Sequence, residues 1–196
     1  MPLNDLGQVI GQSQANNGRV IPTQKPFLWQ NGNLSYFNNL DDLGGGYSKV
    51  FDIKNSGQVV SRKLTSSRLY QAFLWQNGTQ TDLENNGSDN SSVAVGINNS
   101  GQVVGWSYQA VVNDPGIPDG SYMVLIIWSY GKTANQRRNL NKLLLPNSGW
   151  ELNIASGMNN KGQIVGTGTF NGQNRAFLLT PVTVSNPLLS LSGLSK

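Results

Sequence analysis

The chain has 196 residues, carries a formal charge of +4 and contains neither cysteine nor histidine. Disulfide scaffolds, thiolate nucleophiles and thiolate zinc sites are thereby excluded, and with histidine go the commonest neutral-pH general base and the commonest transition-metal ligand. With 37% hydrophobic residues the chain can bury one core, and nothing marks a linker between two domains.

The opening Met1-Pro2-Leu3-Asn4-Asp5 lacks the basic and apolar regions of a signal peptide. Gly7-Gln8-Val9-Ile10-Gly11 follows. The phrase recurs as Gly57-Gln58-Val59-Val60-Ser61, Gly101-Gln102-Val103-Val104-Gly105 and Gly162-Gln163-Ile164-Val165-Gly166, at intervals of 50, 44 and 61 residues. Self-similarity of this kind means that one supersecondary unit is reused. Ahead of each copy stand an apolar residue, a polar pair and a turn: Leu3 to Leu6, Ile53 to Ser56, Ile97 to Ser100 and Met158 to Lys161. Behind each comes an apolar strand: Phe27-Leu28-Trp29, Phe73-Leu74-Trp75, Ile126-Ile127-Trp128 and Phe177-Leu178-Leu179. Asn39-Leu40, Asp82-Leu83 and Asn139-Leu140 close the strand after that, so each full unit is expected to hold four short strands.

Asn, Asp and Gly tolerate left-handed backbone, so the four Asn-rich turns and Gln30-Asn31-Gly32 with Gln76-Asn77-Gly78 each fold a strand back antiparallel. Val103-Val104 and Phe73-Leu74-Trp75 are apolar at consecutive positions, which requires both faces of these strands to be covered. Four-stranded units of this length with periodic Gly and Trp predict an all-β fold, a β-propeller-like array of four-stranded antiparallel repeats with little helix. Four small blades are expected. The last would be completed by both termini, from a third strand cut down to Met1–Asn4 with a fourth at Gly7–Ser13, and a first strand at Asn174–Thr180. The alternatives are an open stack that dimerises into a larger ring and a piece cut from a longer propeller. The expected division is a single β-repeat domain over 1–186 and a flexible tail over 187–196, too short to span a bilayer.

The order Ile97-Asn98-Asn99-Ser100-Gly101-Gln102-Val103-Val104-Gly105, with Ala72 to Gly78 and the Gly-rich stretch after Asn39-Leu40, resembles the HAF-repeat family of bacterial extracellular repeat proteins. The closing Ala176-Phe177-Leu178-Leu179-Thr180-Pro181-Val182 is similar to the way such proteins finish. The likeness runs to about Val182. The His that names the family is replaced here by Lys25, Gln71 and Arg175. The resemblance implies an exported β-repeat protein, extracellular or at the cell surface, and supplies a location more than an activity. The low charge, 12% of residues, fits secreted repeats by composition.

Trp29, Trp75 and Trp128 recur at one column and read as packing between blades. Trp106 differs, because its column is otherwise filled by Gln12, Arg62 and Thr167, and Trp150 ends an insertion; both are candidate ligand-binding residues. The third unit is lengthened at Tyr108–Ser121 and Lys142–Gly149, and long loops on a rigid scaffold are where binding sits. Asp114 and Asp119 in the first insertion are further candidates, with an oxygen-only calcium site the lesser reading and turn solvation the greater. Arg62, beside Lys63 and Arg68, belongs to one of two small basic clusters and is a candidate contact for an acidic ligand.

No catalytic residues, metal site or cofactor are expected, and no nucleic-acid module is recognisable. The expected function is a non-catalytic extracellular module binding carbohydrate or matrix and cell-surface components. The alternative is a structural module that self-associates as a homo-oligomer.

Overall fold

Each Gly-Gln phrase opens on a residue in left-handed backbone: φ is +73° at Gly7, +78° at Gly57, +80° at Gly101 and +77° at Gly162. The residue three before each glycine accepts its N–H, as Asn98 does from Gly101 at 2.8 Å, and a wider hydrogen bond joins Asn98 N–H to Gln102. This is a type I turn closed by a left-handed residue, a common three-residue hairpin connection. Asn31-Gly32, Asn77-Gly78 and Asn171-Gly172 are left-handed at both positions, with φ from +48° to +83°. Two successive positive φ values define the tight type I′ reversal, whose twist matches that of the flanking strands.

The computed structural model of the chain describes residues 2–15, 23–37, 49–65, 67, 69–83, 89–112, 121–130 and 137–182. The expected tail, 187–196, lies outside the described residues. Sheet 1 holds β1 (Val9–Ala15), β2 (Thr23–Gln30) and β3 (Asn33–Tyr36). Sheet 2 holds β4 (Lys49–Ile53), β5 (Val59–Leu64), β6 (Tyr70–Gln76) and β7 (Thr79–Asp82). Sheet 3 holds β8 (Asp89–Ile97), β9 (Val103–Val112), β10 (Ser121–Tyr130) and β11 (Arg137–Asn139). Sheet 4 holds β12 (Trp150–Met158), β13 (Ile164–Phe170) and β14 (Gln173–Leu179). Every sheet is an antiparallel meander in chain order. A short 3-10 helix, Leu140–Leu143, is the one helix among the described residues.

Successive sheets stack. With the Leu3 bridge to Val9 counted as the stub of a first strand in sheet 1, the first strand of each later sheet lies over the second and third strands of the sheet before it: β4 on β1 and β2, β8 on β5 and β6, β12 on β9 and β10. Three apolar seams result. Ile10 and Phe37 meet Val50, Ile53, Val59 and Phe73; Val60, Ala72 and Leu83 meet Ala94, Ile97 and Val103; Val104 and Leu140 meet Leu152, Ala155, Ile164 and Phe177. Adjacent valines therefore work in opposite directions, Val59 backward into the first seam and Val60 forward into the second, both at most 1% exposed. The all-β expectation and the two-faced burial of these strands hold.

Three expectations are corrected. The termini do not complete one blade between them: each terminal sheet is separate, and Leu3 bridges Val9 as the stub of a first strand. The frame was misplaced because the sheet boundaries fall after Phe37, Leu83 and Leu140, which makes the Gly-Gln strand second in its sheet once the Leu3 stub is counted in sheet 1. The closing landmark of sheet 1 is Tyr36-Phe37, since Phe37 N–H bonds Pro26 as Leu83 N–H bonds Ala72; Asn39-Leu40 lies outside the described residues. Trp128 does not share the rung of Trp29 and Trp75. Those pair with Val9 and Val59, whereas Trp128 pairs with Gly105 and Tyr130 with Val103. β9 and β10 pair over ten residues each, two residues out of step with the pairing in sheets 1 and 2, and a slip of two residues keeps the face while moving the rung.

Candidate functional site

The seams follow one pattern of columns, and that pattern leaves two surfaces uncovered. On the forward face of sheet 4, Val165 occupies the column of Ile10, Val60 and Val104. Each of those three is 0% exposed, and Val165 is 46% exposed. Leu178 pairs with Val165 and Ala176 with Thr167, so both share this face, and both are exposed. Ile154 holds the place of the buried Val93 beside them and is itself exposed.

The backward face of sheet 1 is the counterpart. The row Leu3, Val9, Trp29 and Leu34 is fixed by direct cross-strand pairing, and the corresponding row in sheet 2 is Ile53, Val59, Trp75 and Gln80. Ile53 and Val59 are buried; Leu3, Trp29 and Leu34 are exposed, and so is Tyr36 on the next rung. Glycines carry the same contrast. A Cβ at Gly96 would meet the Met158 nitrogen at 3.1 Å and the Gly157 Cα at 3.3 Å, while one at Gly157 would meet nothing within 4 Å.

A polar ladder runs along one edge of the stack. Asp5 N–H donates to Asn55 Oδ1 at 3.1 Å, Asn55 N–H to Asn99 Oδ1 at 2.9 Å, and Asn99 N–H to Asn160 Oδ1 at 2.8 Å. Asn55 also returns a bond from Nδ2 to the Asp5 carboxylate at 2.9 Å. One residue earlier, Asn4 and Asn98 bind their own turns through Oδ1 and reach the next unit through Nδ2, to the carbonyls of Lys54 and Asn159. Asn98 is 2% exposed, whereas Asn159, the last of the series, is exposed. In three of the four phrases the glutamine clamps the end of the strand paired next: Gln8 to Gln30, Gln58 to Gln76, Gln163 to Thr180, while Gln102 accepts from Asn98 Nδ2.

Asp52 straps the second seam. Its two oxygens accept the Ile97 and Ile53 N–H groups, both at 2.9 Å. Burial pushes its carboxyl above the usual carboxylate range, against the opposing pull of those two hydrogen bonds.

The sequence-derived candidates are scattered. Trp106 and Arg62 hold equivalent rungs, opposite Val93 and Lys49, but on different sheets. Trp106 is half-buried and meets Tyr108 edge-on at 5.5 Å. Arg62 is half-buried with its guanidinium 4.0 Å above the Tyr70 ring, and its Nε is buried without a partner. Trp150 packs on Phe170 and edge-on to Phe177, against the third seam. It also lines an open cleft of ≈ 530 Å³ with Asn139, Asn141, Pro146, Asn147 and Glu151. Asn141 is committed to structure there, bonding both backbone groups of Leu152 at 2.8 Å. Asp114 and Asp119 lie outside the described residues; Tyr108 to Val112, expected as loop, continues β9.

The end faces and the ladder escaped the sequence reading, which took the repeated Asn pairs only as turn formers. Their signal was present: the second member of each pair is Asp5, Asn55, Asn99 or Asn160, short and amide-bearing or acidic in all four. Among the described residues there is no cluster of metal-binding side chains and no helix long and apolar enough to cross a membrane. No family model, no curated protein and no solved structure matches this chain.

Proposed function

We propose that this chain is a non-catalytic, self-associating module of propeller-like repeats that works outside the cell. The observation that carries this reading is Val165, 46% exposed in a column whose three other members are 0% exposed. A fully buried aliphatic side chain contributes about 1.5 to 3 kcal/mol, so a face holding Val165, Leu178, Ile154 and Ala176 is a strong incentive to associate. The opposite face presents Leu3 and Trp29 in the row that Ile53 and Trp75 hold at the first seam, with Leu34 beside them. The extracellular setting is supported by the HAF-like phrases and the low charge. Light scattering and sedimentation of the purified chain test the reading: a mass above the 21.2 kDa chain that responds to concentration is expected. A monomer throughout the micromolar to millimolar range removes it.

Recognition of carbohydrate or extracellular matrix is a second reading, favoured by the cleft where Trp150 stands beside Asn147 and Glu151. An aromatic face with amide and carboxylate groups around it suits a neutral sugar. Glycan-array binding that is lost on Glu151→Ala and Asn147→Ala, both exposed positions, is the expected result. Silence of the wild-type chain across all glycans disposes of it.

A further inference from the structure

We infer that two copies of this chain close head to tail into a ring of eight sheets, each copy setting the forward face of its sheet 4 on the backward face of its partner's sheet 1. The inference rests on the self-association proposed above and adds to it the partner, the orientation and the stoichiometry.

Three independent features of the chain converge on this occupant. The column of Val165 on one end face and the columns of Leu3 and Val9 on the other are columns that pack at all three internal seams, so sheet 4 of one copy and sheet 1 of the next repeat a junction the chain already makes three times. Gly157 has open space where its equivalent Gly96 is met by the backbone of the following sheet, so the forward face keeps room for another first strand. That strand is the stub at Leu3, which holds the place of Ile53. The ladder has matching ends as well. Asn160 N–H stands in the donor position of Asp5, Asn55 and Asn99, and the Asp5 side chain stands in the acceptor position of the other three. Joined, they would form a fourth rung between copies, with a carboxylate accepting an amide proton, a stronger bond than the amide acceptors inside the chain give.

The stoichiometry follows from closure. A contact between two different surfaces generates a ring when its rotation closes and a filament when it does not. Because each chain brings four sheets, a ring contains a multiple of four. Closure within one chain is ruled out by the exposure of Val165 and Trp29, which would then be buried. Propellers hold about four to eight blades, so eight, from two chains, is the closed solution that remains.

The experiment compares the wild-type chain with Val165→Glu on the forward face and Leu34→Glu on the backward face, both exposed positions that leave the seams intact. Native mass spectrometry and sedimentation read the mass, and circular dichroism melting verifies that each variant folds. The wild type is expected as one species of twice the chain mass. Each variant alone is expected as a monomer, with apparent affinity weakened at least a hundredfold, and an equal mixture of the two is expected to recover a heterodimer through its one intact junction. A wild type that stays monomeric, as it would if residues 183–196 covered sheet 4, sinks the self-association itself. If the wild type assembles but Leu34→Glu still dimerises alone, the contact joins like faces and the head-to-tail ring is wrong while self-association stands. A ladder of masses beyond the dimer gives a filament and likewise overturns the ring.

Discussion

The backbone N–H of Asn99 lies 2.8 Å from the side-chain oxygen of Asn160, sixty-one positions later, and the two residues hold the same place in consecutive units. A turn that closes one hairpin thus also fastens the next sheet.

The ladder and the buried turn asparagine should differ in energetic weight. Asn160→Ala removes an acceptor from an N–H that water can reach, so a loss near the lower end of about 0.5 to 1.5 kcal/mol is expected. Asn98→Ala should cost more, about 1 to 3 kcal/mol, because Asn98 is buried and its loss orphans the Gln102 N–H. Urea midpoints at constant m-value give the comparison.

Glycines of the same strand pair should respond oppositely. A Cβ at Gly166 would sit 2.5 Å from Phe177 Cζ and nearer still to the Ile154 carbonyl oxygen, so Gly166→Ala should cost at least the roughly 1 to 3 kcal/mol of ordinary overpacking. Gly157→Ala should leave the melting of the monomer within about 0.5 kcal/mol of wild type, since nothing lies near, while weakening the dimer. Thermal melts at low concentration and sedimentation at high concentration separate the two effects.

Protonation of Asp52 should stabilise the fold. Its folded-state pKa is raised above the unfolded value of about 3.9, so the native state binds the proton more tightly and stability falls as pH rises through that window. Asp52→Asn supplies the neutral reference. The difference in melting temperature, wild type minus variant, should be largest near pH 4 and shrink toward pH 7; a difference that grows with pH would show the opposite linkage.

Arg62 is expected to be replaceable. Its stacking on Tyr70 is worth about 0.5 to 2 kcal/mol, and a buried Nε without a partner costs about 1 to 3 kcal/mol. These nearly cancel, so Arg62→Met, which keeps the stem over the ring, should change stability by less than about 1 kcal/mol. Unaltered retention on heparin by the same variant would show that Arg62 is packing rather than an anion contact.

Much of the architecture was legible in local chemistry. Val103-Val104 announced two covered faces, and Asn31-Gly32 with Asn77-Gly78 announced tight reversals, because backbone sterics and burial leave those residues few alternatives. Trp128 was misplaced because β10 pairs with β9 two residues out of step with the other units, an offset that its neighbours in sequence do not display. The strand order within each unit was misframed because a repeat has no intrinsic beginning; only the pairing of the strands shows that a sheet ends after Phe37 and after Leu83. As for the candidate site, single off-pattern residues such as Trp106 drew attention by being unusual. The end faces are made of residues that are wholly usual, Val165 and Leu34 among them, and become conspicuous only when nothing is stacked upon them.

Near-identical layers invite shuffling, a known failure of repeat chains in which one unit docks on a neighbour's neighbour. Asp52 guards against it. Its carboxylate meets the Ile97 amide between the second and third layers, whereas the equivalent spot one layer on is Gly96, where an added Cβ would stand 3.1 Å from the Met158 nitrogen and 3.3 Å from the Gly157 Cα. The second and third layers therefore present different chemistry to the layer that follows each, a strap in one and close backbone contact in the other, which tells them apart beyond the connectivity of the chain.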